Sequence, residues 1–140
     1  MSEPYTGPLP KPTPETRPFW DAAREGRLLI QACDDCGTRY FYPRPLCPSC
    51  LSRNVRWIEA SGRGRLHTFV INHRPPRGFP IAPPFVIGMV ELDEGPRMMA
   101  HIVDVPADPT AVRCDMPVEV VFAALTPEIT VAKFRPRTTP

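Results

Sequence analysis

The sequence predicts a mainly β protein made of a short N-terminal helix, a zinc ribbon and a five-stranded barrel. Three observations carry that prediction. Twenty-one of the 140 residues are proline, about three times the usual share. Two Cys-x2-Cys pairs stand ten residues apart. From residue 62 onward, five short apolar runs alternate with turn-forming residues.

Proline removes a backbone donor and clashes inside a helix, so a chain this rich in it cannot be built on long helices. A length of 140 residues allows one ordinary domain with, at most, a small satellite module, and a hydrophobic fraction of 42% is enough for a core. Seventeen basic and fifteen acidic residues leave a formal charge of +2. A dedicated duplex-DNA binder carries a much larger basic surplus, so this balance accommodates an anionic ligand without demanding one. No apolar stretch follows Met1 within residues 1–11. No run approaches the roughly 18 apolar residues of a spanning helix. The expected location is the cytoplasm, where thiols stay reduced and close cysteine pairs favour metal over disulfides.

Residues 1–15 carry prolines at positions 4, 8, 10, 12 and 14 and are expected to form a proline-rich arm in extended polyproline geometry. Such an arm is either a disordered tail or a segment laid along a partner. A short helix is expected over residues 16–27. Thr16 is its N-cap, Pro18 lies in its first turn and Gly26 ends it. Phe19, Trp20, Ala23 and Leu28 form its apolar side.

The zinc ribbon spans residues 28–61, with Cys33, Cys36, Cys47 and Cys50 as metal ligands. Two residues between cysteines let one tight turn aim two thiolates at a point, and two such turns complete a closed tetrahedral site. Gly37 supplies the backbone freedom that the first turn needs, and Pro48 stiffens the second. The flanking strands are expected at residues 28–32, 39–42 and 55–61. A redox dithiol of the thioredoxin type needs a Cys-x-x-Cys at the head of a helix in a βαβ unit, a setting that neither pair has. With four cysteines no coordination position is open to water, so the zinc is structural. Cys114 stands alone and reads as an inert, partly buried side chain. As a nucleophile it would need a base, and His101 is the one pairing on offer.

The barrel is expected over residues 62–136, with a tail at 137–140. Its strands are Arg65 to Asn72, Phe85 to Asp93, Arg97 to Val103, Val118 to Ala123 and Ile129 to Phe134. Leu66, Thr68 and Val70 alternate with His67, Phe69 and Ile71. Glu94-Gly95-Pro96 makes a turn between the second and third strands. Gly88 provides the sharp bend that a small closed barrel needs. An OB-like barrel fits, and periodicity leaves other five-stranded barrels open. The loop at residues 73–84 is long enough to be functional. Arg74 and Arg77 there can receive phosphates, while Phe79 can stack on a base or fill a partner's pocket.

Taken together, FWDAAREGRL, CDDCG, YPRPLCPSC, ASGRGRLHTFVI, DMPVEVVF and KFRP give the chain a family resemblance. It resembles, from about Pro8 to Pro136, the rubredoxin-like zinc ribbon plus OB-fold proteins once catalogued as a domain of unknown function. Asp115 departs from the glycine that this family often has at that place, in a turn. The resemblance implies a non-catalytic accessory subunit of a thiolase-superfamily complex acting on acyl-CoA thioesters. Its partner would be a thiolase or a lipid-transfer-protein-like aldolase, including aldolases of steroid-CoA side-chain cleavage. An enoyl-CoA hydratase is an optional third member. Catalytic residues would belong to the partner, so none is assigned here. Arg63, Arg65, Arg74 and Arg77 are candidates for the CoA phosphates, with Phe79 beside them. Two other classes stay open: a nucleic-acid-binding OB-fold and zinc-ribbon protein, and an autonomous thioester hydrolase or lyase using Cys114.

Overall fold

Pro18 sits in the first turn of a helix, where a missing amide costs nothing. Helix α1 runs Arg17–Arg24 in the computed structural model, which describes residues 5–137. Thr16 occupies the N-cap position but makes no side-chain cap bond. Its hydroxyl instead accepts the Thr13 amide at 2.9 Å, which ties the preceding turn together. The helix stops at Gly26, whose φ of 78° is left-handed. The Gly26 amide donates to Ala23 and the Arg27 amide to Ala22, the paired bonds of a Schellman end. Phe19, Trp20, Ala22 and Ala23 face inward.

Strands β1 (Leu29–Cys33), β2 (Arg39–Tyr40) and β3 (Val55–Glu59) form an antiparallel sheet in the order β2-β1-β3. The register runs from Leu29 opposite Glu59 to Cys33 opposite Val55, which sets the first knuckle at the sheet's end. Gln31 is buried in β1 without penalty because its Oε1 accepts the Arg44 amide at 2.6 Å.

Strands β4 (Arg63–Asn72), β5 (Phe85–Leu92), β6 (Arg97–Ile102), β7 (Pro117–Ala124) and β8 (Thr130–Pro136) close into a barrel in the order β4-β5-β6-β8-β7, and β7 returns to pair with β4. All pairings are antiparallel except β6–β8, which meet in parallel at Ile102 and Phe134. This closed five-stranded barrel is the OB fold.

The simple alternation expected for β4 fails in the middle of the strand. The register with β5 shifts between Leu66 and Thr68, and the extra residue of a β-bulge reverses which side chains point inward. Leu66 is buried, after which Phe69 and Ile71 rather than Thr68 and Val70 pack against the core. Gly88 also has a different reason from the expected bend. A Cβ there would collide with Leu66 Cδ1 and lie 2.9 Å from Ile102 Cγ1, so the barrel interior is filled at its backbone.

One core joins the two sheets, since Phe19, Trp20, Leu28 and Ile30 cluster with Leu66, Val90, Val118 and Phe134. Among the described residues, no helix is long and apolar enough to cross a membrane.

Candidate metal centre and ligand groove

The two knuckles are built alike. The Gly37 amide donates to the Cys33 carbonyl at 3.0 Å, and the Leu51 amide donates to the Cys47 carbonyl at 2.9 Å. Each turn ends on a left-handed residue, Gly37 at φ 78° and Leu51 at φ 64°. The second knuckle thus asks of leucine what the first obtains from glycine. Leu51 is 71% exposed and contributes little packing. Leu51→Gly should therefore raise the stability of the metal-loaded chain by about 0.5–1 kcal/mol, since a left-handed L-residue costs about 1–2 kcal/mol and the greater unfolded-state freedom of glycine offsets part of that gain. Urea unfolding of the two proteins measures it.

The knuckles are also tied to each other. Asp35 in the first accepts from Ser52 Oγ and from Asn54 Nδ2, both beyond the second. Arg56 on β3 holds Asp34 at 2.7 Å. All four Sγ atoms of Cys33, Cys36, Cys47 and Cys50 lie within 4.8 Å of one another. Cys33–Cys50 and Cys36–Cys47 stand 3.6 Å apart, too far for disulfides. Thiolates bound to tetrahedral zinc at about 2.3 Å lie about 3.8 Å apart, so the cluster fits that ion.

Electrostatics agree. The Thr38 hydroxyl and amide draw the Cys36 thiol down to about 6. The Ser52 amide favours the Cys50 thiolate, but Cys36, burial and the other thiols push it up to about 12. Four thiolates this close coexist only around a cation. Cys33 and Cys47 are buried while Cys36 and Cys50 reach the surface, and four thiolate ligands leave no coordination position open on a tetrahedral ion.

The arginine candidates do not converge. Arg65 is held by Glu91 at 2.9 Å and by Asp115 at 3.6 Å. Arg97 grips the other oxygen of Glu91 at 3.0 Å, so this carboxylate is held below its usual range by Arg65 and then Arg97. Arg63 lies exposed at the start of β4. Roughly 23–30 Å of extended strand separates Arg65 and Arg63 from the 73–84 loop, where Arg74 and Arg77 are exposed. Phe79 turns inward and stacks on Phe85 with centroids 5.3 Å apart. Cys114 is exposed rather than partly buried, because it lies in the turn that ends at Asp115 with φ 67°. It is not among the residues that line the surroundings of His101.

Two apolar grooves cross the outer face of β5, β6 and β8, and they share Met99 and Val131. One, of about 480 Å³, opens between the barrel and the aromatic cluster of Phe19, Phe41 and Tyr42. The other, of about 530 Å³, is walled by the 73–84 loop and by residues 5–10 of the arm. The arm lies close on the loop, since a Cβ at Gly7 would stand 2.7 Å from the Pro80 ring. Sequence reasoning considered His101 only as a base for Cys114 and missed Lys133, and the two line this second groove. A signal existed: each is a polar residue at an outward position of an apolar strand, in RMMAHIV and ITVAKF.

Comparison with known proteins agrees with this architecture. Residues 20–56 match the family model described as the ChsH2 rubredoxin-like zinc ribbon domain, and residues 57–123 match the ChsH2 C-terminal OB-fold domain. The junction between the two models falls within β3, which by its pairing belongs to the ribbon sheet. A DUF35 domain-containing scaffold protein of Pyrococcus furiosus is 37% identical over 103 residues, 74% of each chain. A probable enoyl-CoA hydratase alpha subunit of Thermomonospora curvata is 37% identical over 120 residues. That match takes in 84% of this chain but only 36% of the relative, so the chain spans about a third of the hydratase subunit's length. Among solved structures, a chain of an Ltp2–ChsH2(DUF35) aldolase superposes with a TM-score of 0.79 at 34% identity, over 91% of this chain and 98% of that one.

Proposed function

Because the chain belongs to the DUF35 family of zinc ribbon and OB-fold proteins, we propose that it is a non-catalytic subunit of a thiolase-superfamily complex acting on acyl-CoA thioesters. The observation that carries this reading is the near end-to-end match to a chain of the Ltp2–ChsH2(DUF35) aldolase. Cys33, Cys36, Cys47 and Cys50 hold a structural zinc that fixes the ribbon against the barrel. The partner is a thiolase-like protein, a thiolase or an aldolase such as one cleaving steroid-CoA side chains, and it supplies the reacting groups. The hydratase relative supports an enoyl-CoA hydratase as a further member of the assembly. The complex works in the cytoplasm.

The surface supports a partnered protein. Met99 is 67% exposed and Tyr42 44%, on the two sides of the first apolar groove, and exposed apolar surface of this kind marks interaction sites. Arg63 on β4 and Arg74 and Arg77 on the 73–84 loop are exposed and in no ion pair among the described residues, which suits them to CoA phosphates shared with the partner. Arg65 is already neutralised by Glu91 and Asp115.

The test is co-purification of the tagged chain from its native extract, with captured proteins identified by mass spectrometry and zinc quantified in the same sample. A thiolase-fold protein at comparable amount, about one zinc per chain, and thioester cleavage that needs both proteins are the expected results. A chain that comes out alone, carries nucleic acid, or turns over thioesters by itself overturns the reading.

A further inference from the structure

The second groove has the composition of a small-molecule site. Its walls are apolar: Phe79 and Phe85 are stacked at one end, and Ile87, Met99 and Val131 form the floor. A volume of about 530 Å³ is in the range of ligand pockets. Among the described residues, Lys133 is the one charged side chain on this lining, and no carboxylate accompanies it. His101 lies next to it, with its ring edge-on to Phe85 at 5.3 Å. The buried Nδ1 of His101 has no hydrogen-bond partner, and a buried polar atom of that kind calls for an explanation. Burial pushes both groups below their usual ranges, and the charge of Lys133 pushes His101 further down. The imidazole therefore lies beside a cation that has no counter-ion among the described residues.

The chain encloses the site with its own segments. Tyr5, Pro8 and Pro10 of the arm complete the wall, and the Tyr5 hydroxyl donates to the Pro8 carbonyl at 3.0 Å, which fixes the arm's bend. Gly7 allows that bend to rest on Pro80. A wall made by the arm and the 73–84 loop gives a slot with depth, which suits an elongated molecule.

We propose that this groove binds an apolar carboxylate, with its alkyl body along Phe79, Ile87 and Met99 and its head group paired with Lys133. The apolar walls recognise the chain by burial, and the unpaired ammonium recognises the charge by a charge-assisted hydrogen bond. An amine of the same length is excluded by Lys133, and a neutral alcohol gains only the burial. This site goes beyond the accessory role and does not depend on any partner being present.

The experiment is a titration of the zinc-loaded full chain, labelled at isoleucine and methionine methyl groups, with decanoate and with decanol. Decanoate should shift the Ile87 and Met99 methyl signals and bind more tightly than decanol. Lys133→Met keeps the aliphatic stem and removes the charge. It should weaken decanoate about tenfold, the scale of one charge-assisted contact, and leave decanol unchanged. Unshifted Ile87 and Met99 signals, or an equal loss for both probes, overturn the proposal. Met99→Glu is a second test that a folding defect cannot obscure, because Met99 is 67% exposed. It places a negative charge in the slot and should abolish decanoate binding, and unchanged affinity would overturn the site.

Discussion

Removal of zinc, or replacement of Cys47 by serine, should unfold the ribbon and lower the thermal midpoint of the whole chain. The ribbon sheet is too small to stand by itself. β2 has two residues and β1 pairs with β3 over five, and sheets of this size are marginal in water. Its remaining order comes from two knuckles whose thiols crowd within 4.8 Å. Structural zinc contributes about 10–16 kcal/mol in small zinc-binding peptides near neutral pH, as much as the stability of an entire domain. Cys47 is fully buried, so serine there loses a ligand and leaves a polar atom enclosed.

The damage should spread, because Leu28 and Ile30 share a core with Phe19, Trp20 and Phe134. Two tryptophans report on it separately: Trp20 at the helix–barrel junction and Trp57 on β3. Trp57 emission should change first on addition of a strong chelator, in step with zinc release, and Trp20 should follow on mild heating. A chelated chain that keeps its midpoint would show that the four cysteines do not hold the fold, and the structural-zinc assignment would fall.

The parts of this fold that were legible in the sequence are those fixed by local chemistry. Cys33, Cys36, Cys47 and Cys50 declare a tetrahedral site by spacing alone, and the prolines place the loops. Pro18 and Gly26 bracket α1 for stereochemical reasons that need no knowledge of the rest of the chain. What could not be read depends on groups distant in sequence. Thr16 has the right side chain for a cap, yet its hydroxyl is taken by Thr13. The bulge after Leu66 is set by the pairing of β4 with β5, and no pattern within β4 announces it. Arg65 resembles a ligand residue until Glu91 and Asp115 are brought beside it. The groove around Lys133 needs Gly7 to meet Pro80 across more than half the chain, and no local motif encodes that contact.

A similar dependence on distant contacts sets the cost of losing the ring at position 134. Phe134→Ala should destabilise the zinc-loaded protein by about 3–5 kcal/mol, the range for removing a fully buried phenylalanine. The ring is completely buried, and its strand closes the barrel. Phe134 lies opposite Val120 on β7 and opposite Ile102 at the single parallel contact with β6. Its carbonyl also accepts the Val103 amide at 2.8 Å. The substitution leaves that backbone bond intact, so the loss measures the side chain alone. Burial is also dense around it, since Gly88 has no room for a Cβ beside Leu66 and Ile102. Neighbours so tightly packed collapse poorly into a cavity, which favours the upper half of the range. Phe134→Leu keeps most of the volume and should cost less than about 1.5 kcal/mol. Guanidinium unfolding separates the two, with the denaturant slope unchanged if only stability has moved. A loss below about 1 kcal/mol for alanine would mean that the barrel seam relaxes around the missing ring, and that closure rests on the backbone pairing of β6, β7 and β8 rather than on packing at their centre.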